Sequence, residues 1–448
     1  MILSGAAGLL LLSFTCTPLC RAQDLSAQKW HRYDTEAELK TDLTKAGGEY
    51  DMYEFNLPEL TRAPKGYRPV YISHFGRQGA RYALGTAVYE DLHQILAKGL
   101  EKGKLTEKGI EFKTRYDKFY PSVAHRGGEL TFKGQEQHRM IARMMYENFP
   151  EVFKGKTVAD AISTDSHRVI MSMAAFTNEL DRLDKDFEFK SDAGKVYFPS
   201  IKPGDRTSPE YIKSKPRSEA ANRTSKEMQE KKLDLRGFAS RFFNDPDYLE
   251  ENYGLYKFMM DVRTMIVDLP SLDQEPEDRF EDIMTPEEFI NFWEVWNYNG
   301  YLSMGRSPLT DNLRCLCMTS ALRTIMDEAE QDLKDGKVQL RLRFTHDVAL
   351  LPLLSFMGVN SFGARISEPE AVKDYWRCYD VPMASNLQLI FYKNRKTEDI
   401  LVKVLLNGKE ASLPIKPEIG TFYSWKDMEA YYYPIMDEAD RFLKNYQK

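Results

Sequence analysis

Three short strand-like runs constrain the fold of this chain more than its other features do, because each ends in polar residues and is followed by a helical pattern. The runs cover residues 69–73, 158–163 and 338–344. A short apolar or alternating run that is bounded in this way predicts a strand within a sheet. Because such strands alternate with helices along the chain, they predict an α/β fold, with a mostly parallel sheet and helices on both of its faces.

The rest of the periodicity extends this pattern. Two further strands are predicted at 387–392 and 400–406, and the second leads into Asn407-Gly408, a dipeptide typical of tight hairpin turns. Thr131 is a candidate N-cap for the helix that follows it. Helical spacing of apolar residues predicts helices at about 84–100, 131–149, 166–183, 309–334 and 424–448.

The character of the sequence changes between residues 185 and 305. The early part of this segment is polar and charged, and aromatic-rich helical stretches follow at 247–267 and 285–304. No strand pattern is evident, so we interpret the segment as a helical cap or insertion domain. The α/β core is then formed by residues 23–184 and 306–448.

The N-terminus begins with an almost wholly apolar run over residues 1–12, which is too short to span a bilayer. It predicts that residues 1–22 are a secretory signal peptide cleaved after Ala22, so that the mature protein is exported, to the periplasm or out of the cell. A lipid anchor at Cys16 or Cys20 is the alternative, but the residues before each cysteine suit an anchor poorly. No later segment is long and apolar enough to predict a membrane helix.

The net charge of −6 over 448 residues gives the chain no general attraction to nucleic acid or anionic lipid. An anion must therefore be bound in a local pocket of arginine and lysine. This argues against nucleic acid as a partner.

Three cysteines remain after the predicted cleavage: Cys315, Cys317 and Cys378. An odd number cannot be fully paired within one chain. Cys315 and Cys317 are two residues apart in a predicted helix, so they face different directions. We expect buried, unpaired thiols, with a metal-binding Cys-x-Cys pair as the alternative.

The strand ends carry the residues that could do chemistry. Arg77 and Arg81 flank a glycine after the first strand, Arg168 opens the helix after the second, and His346-Asp347 follows the third. In open α/β sheets, ligands bind outside the carboxyl ends of the strands. Guanidinium groups and a helix N-terminus that converge there suit a phosphate group.

These residues resemble a known family. The segment Arg77–Arg81 is similar to the Arg-His-Gly-x-Arg signature of the histidine acid phosphatases, and the distant His346-Asp347 strengthens the likeness. The resemblance covers residues 65–448 and implies a phosphoglycerate-mutase-like α/β fold with a helical cap. Other stretches look like the branch that contains multiple inositol polyphosphate phosphatases and phytases: Gly128–Thr131 with Gly134 and Gln137, and Arg168–Ser172.

The family resemblance implies a mechanism. A histidine of the first motif attacks phosphorus, while Arg77, Arg81, Arg168 and His346 hold the phosphoryl oxygens and Asp347 protonates the leaving alcohol. The partner is then a small phosphate ester, with inositol polyphosphates such as phytate as the expected class. Fixed cations stabilise the charge that spreads over a transferring phosphoryl group, so we expect no metal and no cofactor.

The sequence departs from the family pattern at the nucleophile position, which holds Gln78. An amide nitrogen has a delocalised lone pair and is not a useful nucleophile. His74 lies about 13 Å upstream along an extended strand, and His167, beside Arg168, is the other candidate substitute. There are two lesser departures. The pair His346-Asp347 stands where the inositol polyphosphate branch commonly has His-Ala-Glu, and Ala83 stands where proline is usual.

Three hypotheses remain open at this point. The first is an exported phosphomonoesterase whose activity is impaired by Gln78, and the second is a phosphate-ester-binding pseudoenzyme. The third, a structural or surface-interaction protein, is opposed by the retention of all three arginines and His346. Lys213 and Arg217 in the cap either contact outlying phosphates or belong to a solvated charged face.

Overall fold

The predicted sheet can be followed strand by strand in the computed structural model of the protein, which describes residues 30–84, 88–204, 218–274 and 276–446. The predicted signal peptide at 1–22 lies outside these residues, as do Lys213 and Arg217, so their roles stay predictions. The strands of the described part are β1 (Tyr67–Arg77), β2 (Thr157–Ser163), β3 (Phe187–Ala193), β4 (Leu340–Thr345), β5 (Asn386–Asn394), β6 (Ile400–Leu406), β7 (Lys409–Glu410) and β8 (Phe422–Ser424).

These strands form one sheet in the order β3-β2-β4-β1-β5-β6-β7, with β8 paired to β6. β4 lies between β1 and β2 and runs parallel to both, and β3 is parallel to β2. The register sets Arg77 beside Thr345 and Ser163 beside Phe344, so three strands end at one edge. The other strands are antiparallel, and Asn407 and Gly408 form the predicted two-residue hairpin, both with positive φ.

Helices cover both faces of the sheet. Tyr71 and Phe75 of β1 belong to one hydrophobic cluster, whereas Ile72 between them belongs to another, together with Ile141 and Phe176 from helices. This alternation confirms the predicted α/β class. The helices are α1 (Thr35–Thr41), α2 (Val88–Glu101), α3 (Glu107–Phe119), α4 (Phe132–Asn148), α5 (His167–Leu183), α6 (Phe198–Ile201), α7 (Glu219–Lys232), α8 (Leu235–Ser240), α9 (Pro246–Asn252), α10 (Leu255–Asp268), α11 (Pro286–Met304), α12 (Leu313–Cys317), α13 (Thr319–Asp335), α14 (Asp347–Met357) and α15 (Trp425–Tyr446).

Helix caps account for several of these boundaries. Thr131 accepts a hydrogen bond from the backbone N–H of Gly134 and caps α4, as predicted. The prediction of one helix over 309–334 is wrong, because the chain breaks at Met318 between α12 and α13. All residues from Cys315 to Met318 are buried, which a single straight helix with one apolar face does not allow.

The described part of the segment 185–305 contains one strand that the sequence did not predict. β3 pairs with β2 at the edge of the sheet, and most of its residues are not buried. An edge strand of this kind needs no apolar run, which explains why its polar sequence gave no strand pattern. The other regular elements described in this segment are helical. The division of the chain into core and cap stays a prediction.

Cys315, Cys317 and Cys378 are buried, and no disulfide joins any two of them, as predicted. Among the residues described, no group of three or more His, Cys, Asp or Glu side chains is placed to hold a metal ion. In the same part of the chain, no helix is both long and apolar enough to cross a membrane.

Two glycines allow the turn after β1 to lie directly on the start of α4. A Cβ at Gly79 would overlap the carbonyl oxygen of Gly134, and one at Gly134 would overlap that of Ala80. The turn is held there because the N–H of Ala80 donates to Gln137 Oε1 at 2.7 Å and the hydroxyl of Thr131 donates to Ala80 O at 2.9 Å.

We predict that Gly134→Ala destabilises the fold by about 1–3 kcal/mol, the usual cost of overpacking. Alanine is favoured over glycine in a helix by about 1 kcal/mol, but the overlap is with backbone and cannot be relieved by a rotamer change. The measurement is the midpoint of thermal unfolding. Gly194→Ala is the matched control, because its nearest neighbour, Val196, lies 3.9 Å away. Equal midpoints for both variants would contradict the prediction.

Two histidines are fully buried beneath this turn. His74 packs against Phe176 and Phe344, and His138 packs against Phe344. Neither ring has a hydrogen-bonding side-chain partner among the described residues, although the backbone of Arg343 lies beside His74 and that of Arg77 beside His138. Burial lowers the pKa of each ring from 6.5 to about 3.

We predict that the protein loses stability as the pH falls below 6.5, the ordinary pKa of histidine. The unfolded chain binds protons at His74 and His138 from that pH downwards, whereas the folded chain binds them only near 3. Each ring therefore lowers the free energy of unfolding by up to about 1.4 kcal/mol for every pH unit that the pH falls within this window. His138→Leu should reduce the loss, measured by urea unfolding above and below the window. The exposed His167 supplies the control, His167→Leu, which should show the wild-type loss.

Candidate active site

Three strand ends are joined by backbone hydrogen bonds where the predicted site residues lie. The N–H of Gln78 donates to Thr345 O at 3.2 Å, and that of Thr164 donates to Phe344 O at 3.3 Å. The N–H of Arg77 donates to Ser385 O, just before β5, at 2.9 Å. The side chains that follow β1, β2 and β4 are therefore held on a common rigid edge.

Arg77 is fully buried at the end of β1. Its Nη1 donates to the carbonyl oxygens of Glu49 at 2.7 Å and Val381 at 2.9 Å. Its Nη2 lies 3.9 Å from Asp347 Oδ2. One edge of the guanidinium is thus fixed by backbone, while the other faces the carboxylate.

Arg81 and Arg168 complete a group of three guanidiniums. Arg81 is buried against the ring of Tyr50, whose centroid is 4.8 Å from the guanidinium carbon, and it donates to Tyr82 O at 3.2 Å. Arg168, in the first turn of α5, is half-buried and places Nη2 3.4 Å from His346 Nδ1. The charges of Arg81 and Arg77 both act on Arg168, so the structure brings the three guanidiniums together.

The electrostatics of this group favour an anion. Burial lowers the pKa of Arg168 to about 10, and the charge of Arg81 contributes to the shift. Burial also lowers the pKa of Arg77, against the attraction of Asp347. The Nε atoms of Arg77, Arg81 and Arg168 have no hydrogen-bond partner among the described residues. An anion between the guanidiniums would relieve their mutual repulsion and satisfy donors.

His346 is held as a neutral imidazole. Burial, followed by the charge of Arg168, lowers its pKa to about 3. Its Nε2 lies 3.2 Å from Thr164 Oγ1, and its Nδ1 faces two donors, the side chains of Gln78 and Arg168. The hydrogen-bond network therefore assigns the proton to Nε2, which donates to Thr164, and leaves Nδ1 as an acceptor.

Gln78 is fully buried at the centre of these groups. In the amide orientation that satisfies its neighbours, its nitrogen donates to His346 Nδ1 at 3.1 Å and to Thr345 O at 3.2 Å. Its oxygen accepts from Arg77 Nη2 at 3.0 Å. The amide is therefore fixed at both ends between two of the predicted phosphate-binding side chains.

Asp347 is the first residue of α14, and only 13% of its side chain is exposed. Burial alone would favour the neutral acid, but the charges of Arg77 and Arg81 outweigh it and hold the pKa of Asp347 below its ordinary value. The carboxyl is therefore ionised in the free protein. An anion that neutralised the arginines would raise this pKa again and make the group a better proton donor.

Several site contacts were missed from sequence. Thr164 follows the second strand, where a lone threonine predicts no role, whereas Glu49 and Tyr50 belong to a 3₁₀ helix, Leu43–Tyr50, that carries no motif. Lys202 also acts on the site, since its charge helps to lower the pKa of His346. Long-range folding brings these residues in, and the only sequence signal was Thr164's place at a strand end.

The two candidate substitutes for the nucleophile lie elsewhere. His74 points into the core between Phe176 and Phe344, and His167 is exposed at the start of α5. In the described part of the chain, neither ring forms a hydrogen bond with Gln78 or His346. The structure therefore supports neither as a replacement.

Two cavities include residues that neighbour this site. One, of about 470 Å³, is mostly apolar and includes Tyr50, whose ring also packs on Arg81. The other, of about 760 Å³, is lined mostly by charged and polar residues and includes Tyr82, the residue after Arg81. Its lining includes the cationic side chains of Arg126, Lys133 and Arg139.

Comparison with known proteins agrees with the geometry. The model of the histidine phosphatase superfamily, branch 2, matches residues 76–407. The multiple inositol polyphosphate phosphatase of Bifidobacterium longum, in complex with inositol hexasulfate, superposes with a TM-score of 0.71 at 14% identity, over 86% of this chain and 97% of that one. The phytase of D. castellii gives a TM-score of 0.65 at 16% identity, over 88% of this chain and 85% of that one. No curated protein sequence matches the chain.

We predict that Arg168→Ala weakens the binding of phosphate or sulfate by about tenfold or more. A charge-assisted hydrogen bond in a partly desolvated pocket contributes roughly 1.5–3 kcal/mol. Isothermal titration calorimetry measures the affinity. The control is Arg323→Ala, which removes an arginine that pairs with Asp437 and Asp440 on the surface. Equal affinities of the wild type and the Arg168 variant would refute the assignment.

Proposed function

The chain belongs to branch 2 of the histidine phosphatase superfamily, and on that premise we propose that it binds phosphate monoesters in the arginine pocket and hydrolyses them slowly. The observation that carries the proposal is the convergence of Arg77, Arg81 and Arg168 around Gln78 and His346. In this scheme the three guanidiniums hold the phosphoryl oxygens, and their fixed charges stabilise the negative charge that develops during transfer. His346 joins them once the bound anion has raised its pKa, because a protonated Nδ1 can then donate to a phosphoryl oxygen.

Asp347 is the proposed proton donor. It is ionised in the free protein because Arg77 and Arg81 outweigh the effect of its burial. A bound phosphate ester compensates these two charges, so the carboxyl takes up a proton as the substrate enters. The proton is then delivered to the leaving alcohol oxygen, which restores the carboxylate beside Arg77.

Gln78 is the reason for the slow turnover. Its amide nitrogen donates to His346 and its oxygen accepts from Arg77, so the side chain occupies the centre of the site without offering a nucleophilic lone pair. Loss of a nucleophile reduces the rate by roughly 10⁴ to 10⁶. What remains is positioning and charge stabilisation, which supports direct attack by water at a low rate.

Inositol polyphosphates are the proposed class of ester. The cavity that includes Tyr82 carries Arg126, Lys133 and Arg139, which suit the further phosphates of such a substrate. Glu136 and Asp273 also line it and offset part of its positive charge. The two structural relatives described above, an inositol polyphosphate phosphatase and a phytase, share the fold and are consistent with this class.

A second function, phosphate-ester binding without turnover, is favoured by Gln78 alone. It uses the same pocket and differs only in the reaction rate. In both cases we propose an exported protein, on the strength of the apolar run at residues 1–12.

We predict that Gln78→His creates or restores rapid phosphomonoester hydrolysis without added metal. Histidine has a reach similar to that of glutamine and would place a nucleophilic nitrogen among the retained arginines. The measurement is steady-state release of phosphate from phytate and from an activated aryl phosphate, with chelator present, for both versions of the chain.

The control is the double variant Gln78→His with Arg168→Ala, which should lose most of the gained rate if hydrolysis occurs in this pocket. Rapid turnover by the unmodified chain would mean that another nucleophile acts. If Gln78→His still binds phosphate but gains no activity, the function is binding without turnover.

A further inference from the structure

Asp268 lies outside the strand ends that form the arginine pocket, yet its buried carboxyl acts on that pocket. It is the last residue of α10, and its side chain is fully buried. Its Oδ2 accepts a hydrogen bond from the hydroxyl of Tyr89 at 2.5 Å, whereas its Oδ1 has no partner among the described residues. A buried carboxyl with one unpaired oxygen is costly, so its presence calls for a physical reason.

Tyr89 connects this carboxyl to the turn that carries Arg81. The backbone N–H of Ala83 donates to Tyr89 Oη at 3.0 Å, and the Tyr89 hydroxyl in turn donates to Asp268. Ala83 follows Arg81 by two residues, and Tyr89 lies in the first turn of α2. The backbone after Arg81 is therefore tied to the end of α10 by two consecutive hydrogen bonds.

The carboxyl also acts on Arg81 through its charge. Burial lowers the pKa of the Arg81 guanidinium, but Tyr50, Asp268 and Asp347 together outweigh it. Of the two carboxyl groups, Asp347 belongs to the reacting centre, whereas Asp268 approaches Arg81 from α10. An ionised Asp268 is thus a counter-charge that competes with a bound anion for Arg81.

We propose that Asp268 is a positioning residue that holds the Arg81 segment through Tyr89 and, when ionised, reduces the positive charge that Arg81 offers to an anion. The inference deepens the proposed function and rests on it, because it takes the arginine pocket as the phosphate site. It adds a pH dependence of anion affinity that arises from a residue that contacts neither the phosphate nor the leaving group.

Asp268 changes charge around neutral pH, and its charge acts on Arg81. Burial raises its pKa to about 7, against the hydrogen bond from Tyr89 and the charge of Arg81. The other titratable groups around it are Tyr89 from α2, Tyr82 beside Arg81, and Tyr50 from the segment before β1; the pKa of each is raised above 10. As the pH rises through about 7, Asp268 loses its proton and anion affinity falls.

The test is calorimetric titration with sulfate, whose charge stays constant, from one pH unit below to one unit above the Asp268 pKa. The wild-type affinity should fall by about threefold to tenfold across this range. Asp268→Asn keeps an acceptor for Tyr89 but removes the charge, so its profile should be shallower than that of wild type, with proton uptake at Asp347 as the remaining slope, and it should bind sulfate more tightly than wild type at the upper end. Thermal unfolding checks that the variant is folded.

Two further variants separate charge from structure. Asp261→Asn is the matched control, since Asp261 is also buried on α10, accepts from Tyr253 at 2.6 Å and pairs with Lys257 away from Arg81; it should keep the wild-type profile. Tyr89→Phe removes the hydrogen bond that favours the ionised carboxyl, so it should move the fall in affinity to higher pH.

The outcomes distinguish this inference from the proposed function. If the wild-type chain binds no sulfate at any pH, the proposed function fails. If it binds sulfate but Asp268→Asn keeps the wild-type profile, the role of Asp268 is refuted while the phosphate site stands. A profile flattened equally by Asp261→Asn would show a general loss of structure and would also refute it.

Discussion

Three guanidinium groups share one desolvated pocket, and much of the surrounding structure offsets their repulsion. Arg77 donates to the backbone carbonyls of Glu49 and Val381, which stabilise a cation without adding a formal charge. Arg81 packs on the ring of Tyr50, a further neutral partner for a cation. The carboxyl of Asp347 compensates only part of the total charge. The pocket therefore stays positive enough to attract an anion while the fold that holds it stays intact.

The α/β core and the grouping of the charged residues could be predicted because both follow from short patterns in the sequence. Arg77, Arg168 and His346 each follow a short strand, and parallel strands bring their ends to one edge. The supports of the pocket have no such signature, since Glu49 O and Val381 O lie 28 and 304 residues from Arg77. The same limit hid β3, a polar edge strand, and the break at Met318, which tertiary burial dictates.

Protonation has opposite effects on the stability of the core and on the anion affinity of the pocket. The buried rings of His74 and His138 make the folded chain less stable as the pH falls. In the pocket, a proton taken up by a carboxyl strengthens the attraction for an anion, because it removes negative charge beside the arginines. The range of pH in which the protein can bind an anion is therefore bounded on the acidic side by the stability of the core and on the alkaline side by the charge of the pocket.

The Gln78 amide is hydrogen-bonded on both sides by groups of the site, and its presence there has a genetic consequence. Its hydrogen bonds to His346 and Arg77 leave the arginines and Asp347 grouped around it. Glutamine and histidine codons differ only in their third base. A gene that encodes this pocket is therefore one point mutation from placing an imidazole at its centre, with every other residue of the site unchanged.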